Sequence, residues 1–410
     1  MHFIEATYSI NTPMFLGSVK NKNAELRPAS FNGILRYWFR ALALAEFHRD
    51  IKEVERLEDI VFGNAKDKKT QKALYSIKMK NYDIPIKKKY DGNNREDRQG
   101  IVYLGYGAII YNSKKKSSVY DRDYIIPGKN IGVVLIQNKG IKNKTSKKDL
   151  ELGQELLINA LKALGLFGGL GSKSRKGFGS LTLLDLKCDG ESKVDAPYCG
   201  DVEGLKDEIN NLLKKAKSFG KSIEDIKYTA FNKFTRIVVT KEFYDPMELL
   251  DEIGKEMIRY RSCGIRWKIL SGEDSEKIFK DDHDLIYDFS RTGKINRHPR
   301  RVVFGLPHNY RLRNRKNVFI NSDHRRASPL FIHVHKLSNQ KYVGILTLIP
   351  SKFLKDREKI RIEQTYYEYV NSRRRRVKEY EEEVEAQVFY KVIEDFLDRV
   401  EEKLSGCKII

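Results

Sequence analysis

Residues 2–10 alternate, with His2, Ile4, Ala6, Tyr8 and Ile10 on one side and Phe3, Glu5, Thr7 and Ser9 on the other. That is the period of a strand. Asn11-Thr12-Pro13 then reads as a turn. From Ser30, an acceptable N-cap, Phe31, Ile34, Leu35, Trp38 and Leu42 recur at helical spacing, while Asn32, Arg36 and Arg40 repeat every four residues on another stripe. Residues 64–98 are lysine-rich with little apolar pattern, and Asp91-Gly92-Asn93-Asn94 is turn chemistry, so much of this stretch reads as a mobile insertion. Strands are predicted over 101–111 and 131–137. Leu152, Leu156, Leu157, Ala160, Leu161 and Leu164 mark a second helix that runs into a glycine-rich loop, followed by a strand over 179–186.

The order strand, helix, two strands, helix, strand is that of a split βαβ, or ferredoxin-like, unit. Residues 187–220 carry weak pattern and read as a junction. Beyond it, a strand over 228–241, a helix over 246–261 and strands over 301–306, 329–337 and 342–349 predict a second α+β unit of similar kind. A long closing helix is expected from about residue 379 to 404, with Tyr380, Val384, Val388, Val392, Phe396 and Val400 as its stripe.

Composition narrows the function. The 410 residues hold 78 Lys plus Arg against 56 Asp plus Glu, a formal charge of +22, which anticipates a polyanionic partner. With 40% hydrophobic and 11% aromatic residues, the chain is too rich in core-formers for a disordered basic tail. Cys188, Cys199, Cys263 and Cys407 are far apart, which argues against a disulfide framework or a cysteine zinc site and suits a reducing cytoplasm. The N-terminus has no basic leader or apolar segment, and no run of 18 apolar residues occurs, so neither secretion nor a membrane is expected. Between Arg291 and Arg326 stand eleven Lys/Arg and one acidic residue, Asp323, a sharper footprint than the overall charge.

The segment 165–179 packs six glycines and three cations into fifteen residues: Gly169, Gly171, Gly177 and Gly179 are among the glycines, and Lys173, Arg175 and Lys176 are the cations. Glycines let backbone N–H groups approach an anion, and the cations supply countercharge. The spacing matches neither a P-loop nor a dinucleotide fingerprint, so nucleotide hydrolysis is rejected and no cofactor is expected. The bland alternative is a flexible basic loop. Arg36 and Arg40, with Arg27 and Tyr37, suit phosphate contact and base stacking, against the alternative of a solvated helix face. Arg373 to Arg376 read as a solvated run pairing with Glu379 and Glu381 to Glu383. His333 and His335 share a strand face but have no third ligand nearby, and Asp281-Asp282-His283-Asp284 reads as a helix or loop start, so no metal is expected. His298, beside Arg297, Arg300 and Arg301, leaves open a metal-independent ribonuclease.

Three stretches resemble one family. Thr12-Pro13-Met14-Phe15-Leu16-Gly17 and the segment from Ala24 to Leu42 look like the opening of the first-subunit family of the Cmr module, RAMP (repeat-associated mysterious protein) members of the type III-B CRISPR effector complex. Arg175-Lys176-Gly177-Phe178-Gly179 is similar to the glycine-rich RAMP signature, and Phe304-Gly305-Leu306-Pro307 and Arg325-Arg326-Ala327-Ser328-Pro329-Leu330 look like C-terminal blocks of the same family. Ser18 stands where that pattern has a second glycine. The resemblance implies two ferredoxin-like (RRM-like) domains that hold guide RNA and target RNA near the guide 3′ end, among other Cmr-module subunits. It also implies binding without cutting, the alternative being a His-dependent endonuclease, with His298 or His308 as the base, that processes CRISPR transcripts. Pattern and resemblance together give an α+β chain divided into a domain 1–190, a junction 191–225 and a domain 226–410 that ends in a long helix. The expected RNA-binding residues are Arg27, Arg36, Tyr37 and Arg40, the loop residues named above, and Arg300, Arg301, Arg325 and Arg326.

Overall fold

The computed structural model describes the chain except for residues 1, 18–23, 48–49, 66–69, 81–84, 89–94, 140–144, 195–198, 313–315 and 371–372. Ser18, the Asp91–Asn94 turn and part of the lysine-rich stretch therefore lie outside the described residues. The first unit contains β1 (Phe3–Ile10), α1 (Pro28–Glu46), α2 (Ile51–Phe62), β2 (Tyr75–Lys80), α3 (Gln99–Leu104), β3 (Asn130–Gln137), α4 (Lys147–Phe167) and β4 (Leu181–Cys188). Its sheet runs β2-β3-β1-β4, wholly antiparallel, with Glu191–Ser192 added at the edge. The alternation in β1 turns Ile4, Ala6, Tyr8 and Ile10 into the core, and the Tyr8 hydroxyl donates to Leu161 O of α4 at 2.9 Å.

After α5 (Val202–Leu212), the second unit contains β5 (Arg236–Val239), α6 (Pro246–Arg261), α7 (Lys280–Thr292), β6 (His308–Arg311), β7 (Asn317–Asn321), β8 (Leu330–Lys336), β9 (Tyr342–Leu348), β10 (Ile360–Val370), β11 (Arg373–Val384), α8 (Lys391–Lys403) and β12 (Cys407–Lys408). Its main sheet runs β8-β9-β5-β12, again antiparallel. A separate sheet, β6-β7-β10-β11, packs with α7 around Phe289, Val318, Ile320 and Ile362.

The result is layered. The first sheet lies on α1 and α4, whose far side meets the second sheet at Phe331, Val343 and Ile345. α6 and α8 cover the opposite face of that sheet through Leu250, Ile253, Phe396 and Val334. The first unit's insertion continues this layer, because α3 packs on α6. There Asp251 Oδ1 accepts from Gly100 N at 2.9 Å and caps the short helix from across the units. Among the described residues, no helix is long and apolar enough to cross a membrane.

Several elements depart from the pattern reading. The stretch 64–98 contains a central-sheet strand, β2, whose alternation of Tyr75, Ile77 and Met79 with Ser76, Lys78 and Lys80 is masked by its lysines. Residues 101–111 are not one strand: Ile101 and Leu104 bury against α6 as part of a helix, and only Ile109–Asn112 is extended. Within 228–241 only Arg236–Val239 forms a strand, and within 301–306 the chain makes the 3-10 turn Arg300–Phe304. α1 starts at Pro28, so Ser30 lies inside it. The closing helix covers Lys391–Lys403 alone, while Arg373–Val384 is a strand paired with Ile360–Val370. A spacing of four, as in Tyr380, Val384 and Val388, is also two strand periods, so it does not separate helix from strand. Asp281 and Asp282 do open a helix, α7.

The α3–α6 contact is set by two glycines. A Cβ at Gly254 would stand 2.4 Å from Gly100 O, and one at Gly100 would stand 2.0 Å from Asp251 O. Gly254→Ala is expected to lower stability by about 1–3 kcal/mol through overpacking, read as a lower urea midpoint at unchanged m-value.

Candidate nucleic-acid interface

The glycine loop is a joint. β8 is an edge strand, and its outward amides need partners. Ile332 N donates to Arg175 O at 3.1 Å, Val334 N to Ser180 Oγ at 3.1 Å, and Lys336 N to Thr182 Oγ1 at 2.8 Å. Asn11 Nδ2 donates to Val334 O at 2.7 Å. Within the first unit, Thr12 Oγ1 donates to Gly177 O at 2.6 Å, Ser172 N to Phe15 O at 2.9 Å and Gly179 N to Pro13 O at 2.9 Å, which ties the Thr12–Gly17 segment to the loop. Gly179 has φ +62°, and a Cβ there would stand 2.1 Å from Leu170 O. Gly171 and Gly177 also have positive φ, and Gly169 passes within 2.6 Å of Gly179 O by the same measure. The glycines therefore serve a close backbone approach between ordered segments.

Beneath the joint, the Trp38 ring lies 5.5 Å from Phe331, 5.8 Å from Phe231 and 6.0 Å from Phe167. His333 and His335 project from β8 into the same seam, where His333 Nδ1–H donates to Gly168 O at 2.7 Å. His335 lies 3.3 Å from both Gly165 O and Cys199 O. Burial holds His333 down at about 3, with His335 as a lesser cause, and burial holds His335 at about 4. They are neutral packing groups.

The expected RNA-binding residues separate by partner. Arg36 bonds Glu58 at 2.6 Å, and Arg40 reaches the same carboxylate at 3.3 Å. Arg300 bonds Asp281 at 2.9 Å. Arg301 is 8% exposed, lies 3.3 Å from the fully buried Asp282 and donates to Arg261 O. These contacts take Arg301 off the surface and correct its placement on a basic face. Arg27 sits at the start of α1 and donates to Gly17 O at 3.3 Å.

A second group carries no carboxylate partner among the described residues. Arg175 stacks 4.4 Å over Phe331 and 5.4 Å over Tyr37, and donates to Ser328 O at 2.5 Å. Arg326 donates to Ser351 Oγ at 2.5 Å. Burial raises the Tyr37 hydroxyl, while Arg175, Arg326 and Arg40 act in the opposite direction, so all three cations bear on that ring. The ring is partly buried and packed edge-on to Trp38, 5.2 Å away. Lys173 is held below its usual value by partial burial and by two further cations, Arg122 and Arg325. Arg122, which donates to Ser172 Oγ at 3.4 Å, was missed in the sequence because Asp121 and Asp123 flank it. Lys176 lines a different cleft with Arg261 and His308. His298 is 7% exposed and has both ring nitrogens occupied: Nδ1–H donates to Pro299 O, and Nε2 accepts from Gln387 N at 3.0 Å. It has no lone pair free for a base. Of the arginine run 373–376, Arg375 and Arg376 lie on β11, with Arg376 3.4 Å from Glu363.

An α+β unit whose glycine loop closes its last helix onto its last strand is matched by a family model: residues 7–182 match that of the RAMP superfamily. Over most of its length the chain is homologous to the CRISPR system Cmr subunit Cmr1-1 of Pyrococcus furiosus, with 25% identity over 345 residues, covering 84% of this chain and 86% of that protein. Cmr subunit Cmr1-2 of the same organism is 24% identical over 187 residues, 43% of this chain and 92% of the relative. The crystal structure of apo Cmr1 from Pyrococcus furiosus shares the fold, with a TM-score of 0.53 at 18% identity over 100% of this chain and 99% of that one.

The buried histidines make a stability prediction. Unfolding lets each take up a proton below its ordinary pKa near 6.5 that the native state refuses down to about 4 or 3. Stability should therefore fall as pH drops from about 6.5 to 4, by up to about 1.4 kcal/mol per pH unit for each histidine. His333→Asn keeps an Nδ donor and is expected to flatten that slope in urea unfolding followed against pH.

Proposed function

We propose that the chain is a non-catalytic RNA-binding subunit of a type III-B CRISPR (Cmr) ribonucleoprotein, working beside other Cmr-module subunits in the cytoplasm. In this reading it helps hold guide RNA and target RNA near the guide 3′ end. The observation that carries it is the crowding of Lys173, Arg122 and Arg325 beside Arg175 and Arg326, cations from both units left without carboxylates among the described residues. Such a cluster is poised for phosphates. The homology to Cmr1-1 over 84% of the chain supports the assignment to a Cmr effector.

The same reading treats both units as ferredoxin-like (RRM-like) domains, 1–190 and 226–410 with a junction at 191–225. Each antiparallel sheet has the order second, third, first, fourth strand, with a helix after the first and another after the third, which supports it. α5, in the junction, buries Leu205 and Ile209 in the first unit's core. The engaged nitrogens of His298 favour binding over cleavage.

Titration of single-stranded RNA at several salt concentrations tests the reading, with each sample also run on a denaturing gel. Salt-sensitive binding of intact RNA is expected, with a log–log slope that shrinks by about 1 for each phosphate contact removed in Lys173→Glu or Arg325→Glu. Arg301→Glu should instead lower the melting temperature, because it places two carboxylates in one buried site. Equal binding by wild type and the Lys173→Glu, Arg325→Glu double variant would remove this face from the interface.

A further inference from the structure

A cleft of about 920 Å³ opens between the first unit's insertion, the C-terminal end of α6 with the loop after it, and β6. Its walls carry two kinds of group. Tyr106 and Tyr111 of the insertion line it and are each 67% exposed, and the Tyr106 hydroxyl accepts from Arg311 Nη2 of β6 at 3.1 Å. Lys176 and Arg261 line it as well, and both Lys176 Nζ and Arg261 Nε are buried with no hydrogen-bond partner among the described residues. Of the two carboxylates on its walls, Glu96 is held by Arg98 at 2.7 Å and by the Tyr120 hydroxyl at 2.8 Å, and Asp97 is exposed.

Cationic nitrogens buried without a counterion among the described residues are costly unless a ligand brings the missing negative charge. Exposed tyrosine rings beside such a charge offer a stacking surface that every base can use. We propose that this cleft seats one nucleotide of single-stranded RNA, its phosphate against Lys176 and Arg261 and its base against Tyr106 or Tyr111. The proposal rests on the RNA-binding reading above and deepens it, since the nucleotide is turned away from the Lys173 and Arg325 cluster into its own recess.

Burial, Arg261 on α6 and Lys173 and Arg175 on its own loop lower the Lys176 ammonium to about 7, so a bound phosphate restores its charge and takes up a proton. The other titratable groups on the cleft are Glu96, Asp97, Lys116, Lys268, His308 and the tyrosines Tyr103, Tyr106 and Tyr111, with Lys268 paired to Asp274 at 2.7 Å. Burial, Arg261 and Arg301 hold His308 well below its usual value, so it stays neutral through this range.

The test uses the full chain, a fluorescein-labelled oligouridylate of about 15 nucleotides and fluorescence anisotropy. Tyr106→Ala with Tyr111→Ala is expected to weaken binding about tenfold, while Tyr106→Phe, which keeps the ring and loses the bond to Arg311, binds like wild type. Wild-type affinity should fall above pH 7 by up to about tenfold per unit, and Lys176→Met should bind more weakly and lose that dependence. Lys176→Met removes a buried unpaired charge, so its melting temperature should not fall. A 4-thiouridine version of the same RNA should crosslink to peptides carrying Tyr106 or Tyr111. Wild-type affinity and pH dependence in all variants, with RNA still bound, would overturn the cleft assignment and leave the RNA-binding reading standing. No RNA binding by wild type would remove both. Cleavage of the oligonucleotide that stops in His308→Ala would replace holding by catalysis.

Discussion

The edge of the second sheet needs partners for the outward amides of Ile332, Val334 and Lys336, and it finds them in the first unit: one loop carbonyl and two hydroxyls. Much else follows from that pairing. The carbonyl of Arg175 reaches β8 only if the loop folds tightly, and the loop folds tightly only with residues such as Gly171, Gly177 and Gly179 at positive φ. A loop held at that edge has fixed side-chain directions. Arg175 is laid over Phe331 and Tyr37, and Lys173 is brought beside Arg325 from the segment leading into β8. The joint and the basic face are therefore one piece of architecture, and the seam under it is sealed by Trp38 and by two histidines kept neutral by burial.

Charge in this protein is sorted by its partners more than by its density. Arg36, Arg40, Arg300 and Arg301 come from basic stretches of the sequence, yet Glu58, Asp281 and Asp282 engage them in the fold. Arg301 and Asp282 are buried as a pair and contribute mainly to structure, Arg36 and Arg40 share the buried Glu58, and Arg300 meets Asp281 at the surface. The cations of the glycine loop are not balanced in this way. They meet aromatic rings, backbone carbonyls and one another, an arrangement that leaves their charge for a ligand.

Much of this was legible in the chain. The alternation of β1, the amphipathic stripe of α1, the apolar spacing of α4 and the two adjoining strands β8 and β9 each follow from local period, and together they define the α+β class. β2 was hidden because its outward face is lysine, and β11 because its apolar positions are four apart. The residues of the glycine loop were found, but composition suggested mobility where the fold uses close packing; that difference depends on β8, about 155 residues further on. Arg122, Tyr106 and Tyr111 gave no sequence signal, because their value comes from where the insertion docks on the second unit.

The most direct test of the joint is amide hydrogen exchange on the RNA-free protein, resolved at Ile332, Val334 and Lys336. If the glycine loop is a built-in partner of the sheet edge, these three amides exchange as slowly as those in the middle of β9, and added RNA changes them little. Fast exchange at all three that slows only when RNA is added would mean that the edge is open until the ligand arrives, and would contradict the account.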